Sequence, residues 1–287
     1  MHGAMRSGVH PTGGVCDTSG MVEVSADEVA RYTRDGAICV RGVFDADQVA
    51  VVRRVVDAML ADPGPYGQTA SRPGEPAFFE DFCNWQRHPD LLDVIDRAGL
   101  PELCGRLMGS DEVRLYHDHV LVKEPGARQA TPWHQDQPFY NVSGRQNISA
   151  WIPVDPVTRT TTLEFVAGSH DGTWYLPTTF LDQEAKWFPE GSLAPVPDVD
   201  PTTDRVVGWA LEPGDLVLFH MLTLHAAAGN DMRHRRRALS LRFLGDDATH
   251  APRPWTTSPP FDGLDEDLPA GAPMDHPMFP LLWTGRR

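Results

Sequence analysis

The sequence predicts an α+β domain built around a double-sheet jelly roll, with amino-terminal helices packed on one sheet. Apolar residues recur at helical spacing up to about residue 108, and from residue 112 the period falls to two. After that change, roughly eight short strands alternate with turns rich in Gly, Pro and Asp. The 287 residues show no internal repeat and no compositional break, so a single large domain accounts for them.

Residues 1–22 are rich in Gly, Ser and Thr and read as a disordered leader, which leaves 23–287 as the domain. Ser25 and Glu28 form a capping box for a helix that ends near Asp35, before Gly36. Ala37-Ile38-Cys39-Val40 is a strand. Asp45 then caps a longer helix whose apolar positions are Val49, Val52, Val55 and Met59. Two further helices are expected at 89–98 and 100–108. Strands follow at 112–123, 130–137, 147–153, 162–166, 206–211, 215–219, 223–227 and 237–244. The stretch at about 172–204 is long and weakly patterned and carries Trp174, Trp187 and Phe188, as expected of a lid or binding insertion. From about residue 250 the chain is rich in proline and is expected to wrap the surface.

With 25 basic and 40 acidic residues the net charge is −15, a field that repels phosphate backbones and argues against nucleic-acid binding. The run Arg233-His234-Arg235-Arg236-Arg237 is too short to reverse it. No apolar run reaches the roughly 18 residues that span a bilayer, and the amino terminus offers no secretory core, so a cytoplasmic location is expected. Cys16, Cys39, Cys83 and Cys104 are widely spaced and read as free thiols in a reducing compartment. Lys123 and Lys186 are the only lysines. That scarcity, with abundant Ala, Gly, Pro, Asp and Val, points to GC-rich coding and a bacterial source.

Two His-x-Asp triplets occur. His88-Pro89-Asp90 reads as helix initiation, with Pro89 in the first turn and Asp90 favourable at the helix dipole. His134-Gln135-Asp136 falls in an expected strand, where period two sets His134 and Asp136 on one face. Two such ligands are two-thirds of a facial triad for Fe(II). His225 and His220 compete by spacing to be the third. The basic run downstream weighs for His225. In the strand 236–244, Arg236, Ala238, Ser240 and Arg242 share one face, so a cosubstrate carboxylate fits beside Arg236.

The segments KEPGARQATPWHQDQPFYNVSG, AWIPVDP, LEFVAGSH, EPGDLVLFH, LHAAAGN and RRALSLRFL, with EVARYTRDGAICVRGVFDADQV upstream, resemble the phytanoyl-CoA dioxygenase family. The resemblance covers about residues 23 to 245 and implies a double-stranded β-helix, the cupin-like barrel. It implies Fe(II), 2-oxoglutarate and O2 as the reacting partners, with oxidation of a small molecule and release of succinate and CO2. His134, Asp136 and His225 correspond to the iron ligands, and Arg236 to the arginine that holds 2-oxoglutarate. His117 and Trp151 fall at positions implied to contact that cosubstrate. Phe139, Tyr140, His119 and Trp174 are expected to line the substrate site. One departure is Thr160-Thr161-Thr162-Leu163, where many members carry Asn-Gly-Cys/Ala-Leu. Related halogenases have a small residue at the position of Asp136, so its carboxylate argues for hydroxylation or another hydrogen-abstraction outcome. The composition fits a tailoring enzyme of bacterial natural-product or antibiotic biosynthesis. Two other readings compete: a cupin-like isomerase or dioxygenase that does not use 2-oxoglutarate, and a catalytically silent binding relative.

Overall fold

The computed structural model describes residues 24–178 and 193–285. The expected leader, Cys16, Trp187 and Phe188 lie outside the described residues. Helix α1 (Ala26–Asp35) starts with the anticipated capping box: Ser25 Oγ accepts from the Glu28 amide at 3.2 Å, and the Glu28 carboxylate accepts from the Ser25 amide at 2.9 Å. Gly36 ends it at φ +73°, where an added Cβ would strike the His170 ring and Thr223 Oγ1. Strand β1 (Ala37–Val40) leads to α2 (Ala46–Ala61), capped by Asp45 and burying Val49, Val52, Val55, Val56 and Met59. Strands β2 (Gln68–Thr69) and β3 (Phe78–Phe82) come next, then α3 (Pro89–Arg97) and α4 (Leu100–Met108). Neither β2 nor β3 was legible as a strand, because FFEDF alternates only weakly. Pro89 does open α3, with Asp90 in its first turn.

The strand-rich part follows as β4 (Glu112–Lys123), β5 (Thr131–His134), β6 (Val142–Ser143), β7 (Asn147–Pro153), β8 (Leu163–Val166), β9 (Val206–Val207), β10 (Leu216–Phe219), β11 (His225–Ala227), β12 (Arg236–Leu244) and β13 (Thr249–His250). A short helix α5 (Leu264–Asp267) and strand β14 (Leu281–Thr284) complete it. One antiparallel sheet runs β1-β10-β7-β12-β4-β3-β2, with β14 also on β4, and a smaller sheet runs β5-β11-β8-β9. They are the two layers of a double-stranded β-helix. The strand expected at 206–211 stops at Val207, before Gly208.

The large sheet is apolar on its outer face. Val120, Val122, Ile148, Ala150, Ile152, Leu218, Leu239, Leu241 and Phe243 pack there against Val52, Val56, Met59, Leu91, Ile95 and Leu103 of the helices. Its inner face and the small sheet enclose a second cluster with Trp151, Phe165, Val217 and Phe219. Strand β4 does not keep one parity. Phe243 pairs with Leu115 but Arg242 pairs with His117, so a bulge at Tyr116 flips the strand. Val113 and Leu115 before it, and Val120 and Val122 after it, all reach the helices. His117, His119 and Leu121 consequently line the interior.

The tail does more than wrap the surface. Leu264, Leu268, Met274 and Phe279 bury themselves against Tyr116 and Tyr140, and Leu281–Thr284 extends the large sheet. Proline-rich composition concealed these widely spaced anchors. Among the described residues no helix is long and apolar enough to cross a membrane, and Cys39, Cys83 and Cys104 are free thiols.

Phe243 is fully buried between the sheet and the helices. Phe243→Ala is expected to cost about 3–5 kcal/mol in a urea titration. Leu281→Ala, at a position 43% exposed, should change stability by about 0.5 kcal/mol or less.

Candidate active site

A cavity lies between the two sheets, lined by residues of both. His134 ends β5 and His225 begins β11, and the two residues are register partners across the small sheet. Their ring centroids are 4.1 Å apart. The expected strand 130–137 ends at His134, so Asp136 is not its same-face strand neighbour. Asp136 sits in αR backbone and starts a short 3-10 turn at Gln137–Phe139, where Pro138 and two bonds to the Met221 carbonyl interrupt the ladder. That bend still aims the carboxylate at the histidines: Asp136 Oδ1 is 3.8 Å from His134 Nε2 and 3.7 Å from His225 Nε2.

Backbone contacts orient both imidazoles so that they could act as ligands. His134 Nδ1 lies 2.8 Å from the Pro132 carbonyl and His225 Nδ1 lies 2.9 Å from the Thr223 carbonyl. Each Nδ1–H therefore donates outward, and each Nε2 keeps its lone pair toward the cavity. Burial lowers the pKa of both rings, that of His225 to about 3 with His134 beside it as the next cause. They are neutral at pH 7. Burial alone would raise the pKa of Asp136; the Arg242 guanidinium, 3.3 Å away, is the foremost of the contacts that outweigh it and hold the carboxyl well below its usual range. Ser149 Oγ donates to Asp136 Oδ2 at 2.8 Å. Two neutral nitrogens and one ionised oxygen, all buried and mutually within 4.8 Å, are a donor set that fits a divalent iron ion. Among the described residues no other such cluster forms.

His220, the competing third ligand, is placed elsewhere. Its Nε2 contacts the Arg145 carbonyl at 3.0 Å and its Nδ1 accepts the Leu222 amide at 3.0 Å, so it braces a turn.

Arg236 is 4% exposed and donates to the Thr161 carbonyl, within the Thr160-Thr161-Thr162 departure noted above. Burial lowers its pKa to about 10, which leaves it charged. Its Cζ lies 5.9 Å from the Trp151 ring, and both line the cavity. Register pairs Arg236 with Lys123. Lys123 was not singled out from sequence, although it shares the face of His117 and His119. Its ammonium donates to the Ala228 carbonyl at 2.9 Å and lies 3.5 Å from Thr131 Oγ1. Burial, then Arg236, depresses its pKa strongly. Arg242 was likewise unassigned; besides Asp136 it donates to Tyr140 Oη at 3.1 Å.

Phe139, Tyr140, His117 and His119 line the cavity. His119 Nε2 is 3.3 Å from Glu80 Oε2, and Gln68 donates to the other oxygen of Glu80 at 2.7 Å. Trp174 does not line the cavity among its described walls; it lies against Arg253 of the tail, with 4.8 Å from guanidinium carbon to ring centre. That contact joins residues nearly eighty positions apart and is not legible in the sequence. The tail itself supplies Ser258 and Pro259 to the lining.

A jelly roll with this donor set between its sheets is the architecture of the iron- and 2-oxoglutarate-dependent oxygenases. The model of the phytanoyl-CoA dioxygenase family matches residues 32–238, and the chain belongs to that family. A probable phytanoyl-CoA dioxygenase of Caenorhabditis elegans is 28% identical over 183 residues, 60% of this chain and about half (52%) the length of that relative. Ectoine dioxygenase of Sphingopyxis alaskensis is 24% identical over 257 residues, 81% of this chain and 82% of that protein. Among solved structures, the 2-oxoglutarate-dependent carbocyclase SnoK of nogalamycin biosynthesis superposes with TM-score 0.71 at 24% identity, covering 90% of this chain and 96% of that one. The epimerase SnoN, in complex with Fe3+, 2-oxoglutarate and a nogalamycin compound, gives 0.67 at 24% identity, covering 88% and 96%. At these identities the structural likeness establishes the shared fold.

His220 is a buried histidine whose pKa falls to about 3, from burial first and His170 second. Between pH 6.5 and 3 the unfolded chain binds a proton there that the folded chain does not. This stability is present above pH 6.5 and is lost as pH falls. His220→Asn should flatten the acid limb of the unfolding free energy by about 1.4 kcal/mol per pH unit, measured by denaturant titration between pH 6 and 4.

Proposed function

We propose that this oxygenase oxidises a small-molecule metabolite by hydrogen abstraction, hydroxylation being the simplest outcome, and that it serves bacterial natural-product biosynthesis. The observation that carries the reading is the convergence of His134 Nε2, His225 Nε2 and Asp136 in a cavity whose far wall holds a buried, charged Arg236. His134, Asp136 and His225 would hold the iron. Iron and 2-oxoglutarate together supply the oxidising chemistry: one oxygen atom of O2 ends in succinate after loss of CO2, and the other oxidises the substrate.

The chain's own residues position and exclude. Arg236 offers a planar pair of donors to the distal carboxylate of the cosubstrate, with Trp151 against its guanidinium and Lys123 on the adjoining strand. A buried guanidinium such as that of Arg236 holds an anion more strongly than the same charge would in water. Arg242 and Ser149 fix the Asp136 carboxylate so that it needs no reorganisation. Aromatic Phe82 and Phe139 line the same cavity, where an apolar substrate face would lie. No side chain has to act as a general acid or base. A carboxylate at 136, rather than a small residue, leaves no gap in the ligand set for a halide, which favours oxygenation over halogenation.

Anaerobic addition of Fe(II) and then 2-oxoglutarate should produce the weak visible charge-transfer band of the chelate. If iron binds and no band forms, the cupin-like reading without 2-oxoglutarate replaces this one. Asp136→Ala and His225→Ala are each expected to weaken Fe(II) binding by about a hundredfold or more while the circular dichroism spectrum is kept. Arg236→Ala should raise the 2-oxoglutarate concentration for half-formation of the band by roughly 10- to 100-fold, the loss expected for a buried charge-assisted pair.

A further inference from the structure

We propose that His117 binds the substrate, accepting a hydrogen bond from a hydroxyl group of a neutral, partly apolar molecule. This rests on the oxygenase reading above and assigns the far side of the same cavity.

His117 is 2% exposed and lines the cavity, and its Nε2 has no hydrogen-bond partner among the described residues. Its Nδ1 lies 3.1 Å from the Asp118 carbonyl, which can only accept. The proton is therefore on Nδ1, and Nε2 presents a lone pair. Leaving such an acceptor unpaired in a buried site is costly, so a donor that enters the cavity gains what the folded chain left unmade.

That donor does not come from the cosubstrate. Register places His117 opposite Arg242 and Lys123 opposite Arg236 on the same pair of strands. The two rungs are six residues apart, about 20 Å along the strand. Arg242 contacts Asp136 at 3.3 Å, so the proposed iron lies at the His117 end of this span. A 2-oxoglutarate dianion carries only acceptor oxygens, so wherever its chain runs it offers no proton to a bare Nε2.

A second group argues for a hydroxyl over a simple N–H. Tyr140 lines the cavity with its ring centre 5.2 Å from that of His117. Its oxygen accepts from Arg242 Nε, and its proton is given to no acceptor among the described residues. An acceptor and a donor side by side suit a group that both donates and accepts. Charge narrows the class further. The cationic side chains of the described lining are Arg236 and Arg242, the first placed for the cosubstrate and the second paired with Asp136, while Glu80 adds a carboxylate. Nothing in that lining remains to neutralise a phosphate or carboxylate on the substrate. Phe82 and Phe139 complete the site as apolar walls.

The test uses 2-naphthol and its methyl ether, 2-methoxynaphthalene, which differ in the donor. Binding is read by tryptophan quenching on the metal-free protein, and again by perturbation of the anaerobic Fe(II)–2-oxoglutarate band. In the wild type the naphthol should bind about tenfold more tightly than the ether, as expected for one buried hydrogen bond. His117→Phe should bring that ratio to about one while leaving 2-oxoglutarate affinity within about twofold, and His117→Gln, which keeps an acceptor, should restore most of the preference. Equal binding of the two probes by the wild type, binding of neither, or a preference that survives in His117→Phe would overturn the proposal. So would a tenfold loss of 2-oxoglutarate affinity in that variant, which would return His117 to the cosubstrate. If the wild type forms no chelate band, the oxygenase reading is what fails, and the quenching ratio still decides the role of His117.

Discussion

The ionised carboxylate of Asp136 sits at 4% exposure, and the surrounding structure is organised around keeping it charged there. A lone buried carboxylate would take up a proton and lose its value as a ligand. Arg242 prevents this from below, Ser149 holds the second oxygen, and the two imidazoles approach the first. Each neighbour is set in turn. Arg242 is braced by Tyr140, and both histidines are turned by backbone carbonyls.

The large sheet makes this possible by having two different faces. Helices cover one with aliphatic side chains, and the other carries Arg236, Ser240, Arg242, His117 and His119 into the cavity. Such polarity on an enclosed face would be unfavourable in a simple sandwich. Here each long polar group meets a carbonyl, a carboxylate or the cavity. The bulge at Tyr116 is the local device: without the parity change, the residues after it would face the helices and those helices would meet imidazoles.

The capping boxes of α1 and α2, the apolar stripe of α2 and the alternation of β12 were legible because each is a local signal repeated over several residues. His134 and Arg236 were legible as residues of expected strands, whereas spacing left His225 competing with His220 and only the downstream arginine run weighed for it. Asp136 was found by spacing, although the strand argument that placed it was incomplete: Pro138 and the Met221 carbonyl bend the chain after His134. Lys123, Glu80 and Gln68 left weaker traces, since each gains its meaning from a strand distant in sequence. The contact between Trp174 and Arg253 left no trace, because Arg253 lies in the distant tail.

By itself, then, the sequence determined the class of fold, the ligand types and the arginine on the strand that follows them. Periodicity, capping and residue chemistry act over a few neighbours and need no tertiary contact to be read. Tertiary structure alone decided that His220 braces a turn while His225 faces Asp136, that Arg242 pairs with that carboxylate, and that His117 lies at the opposite end from Arg236. Those outcomes depend on strand register and on one bulge. A shift of a single residue exchanges the two faces of a strand, and only packing between distant segments selects which face turns inward.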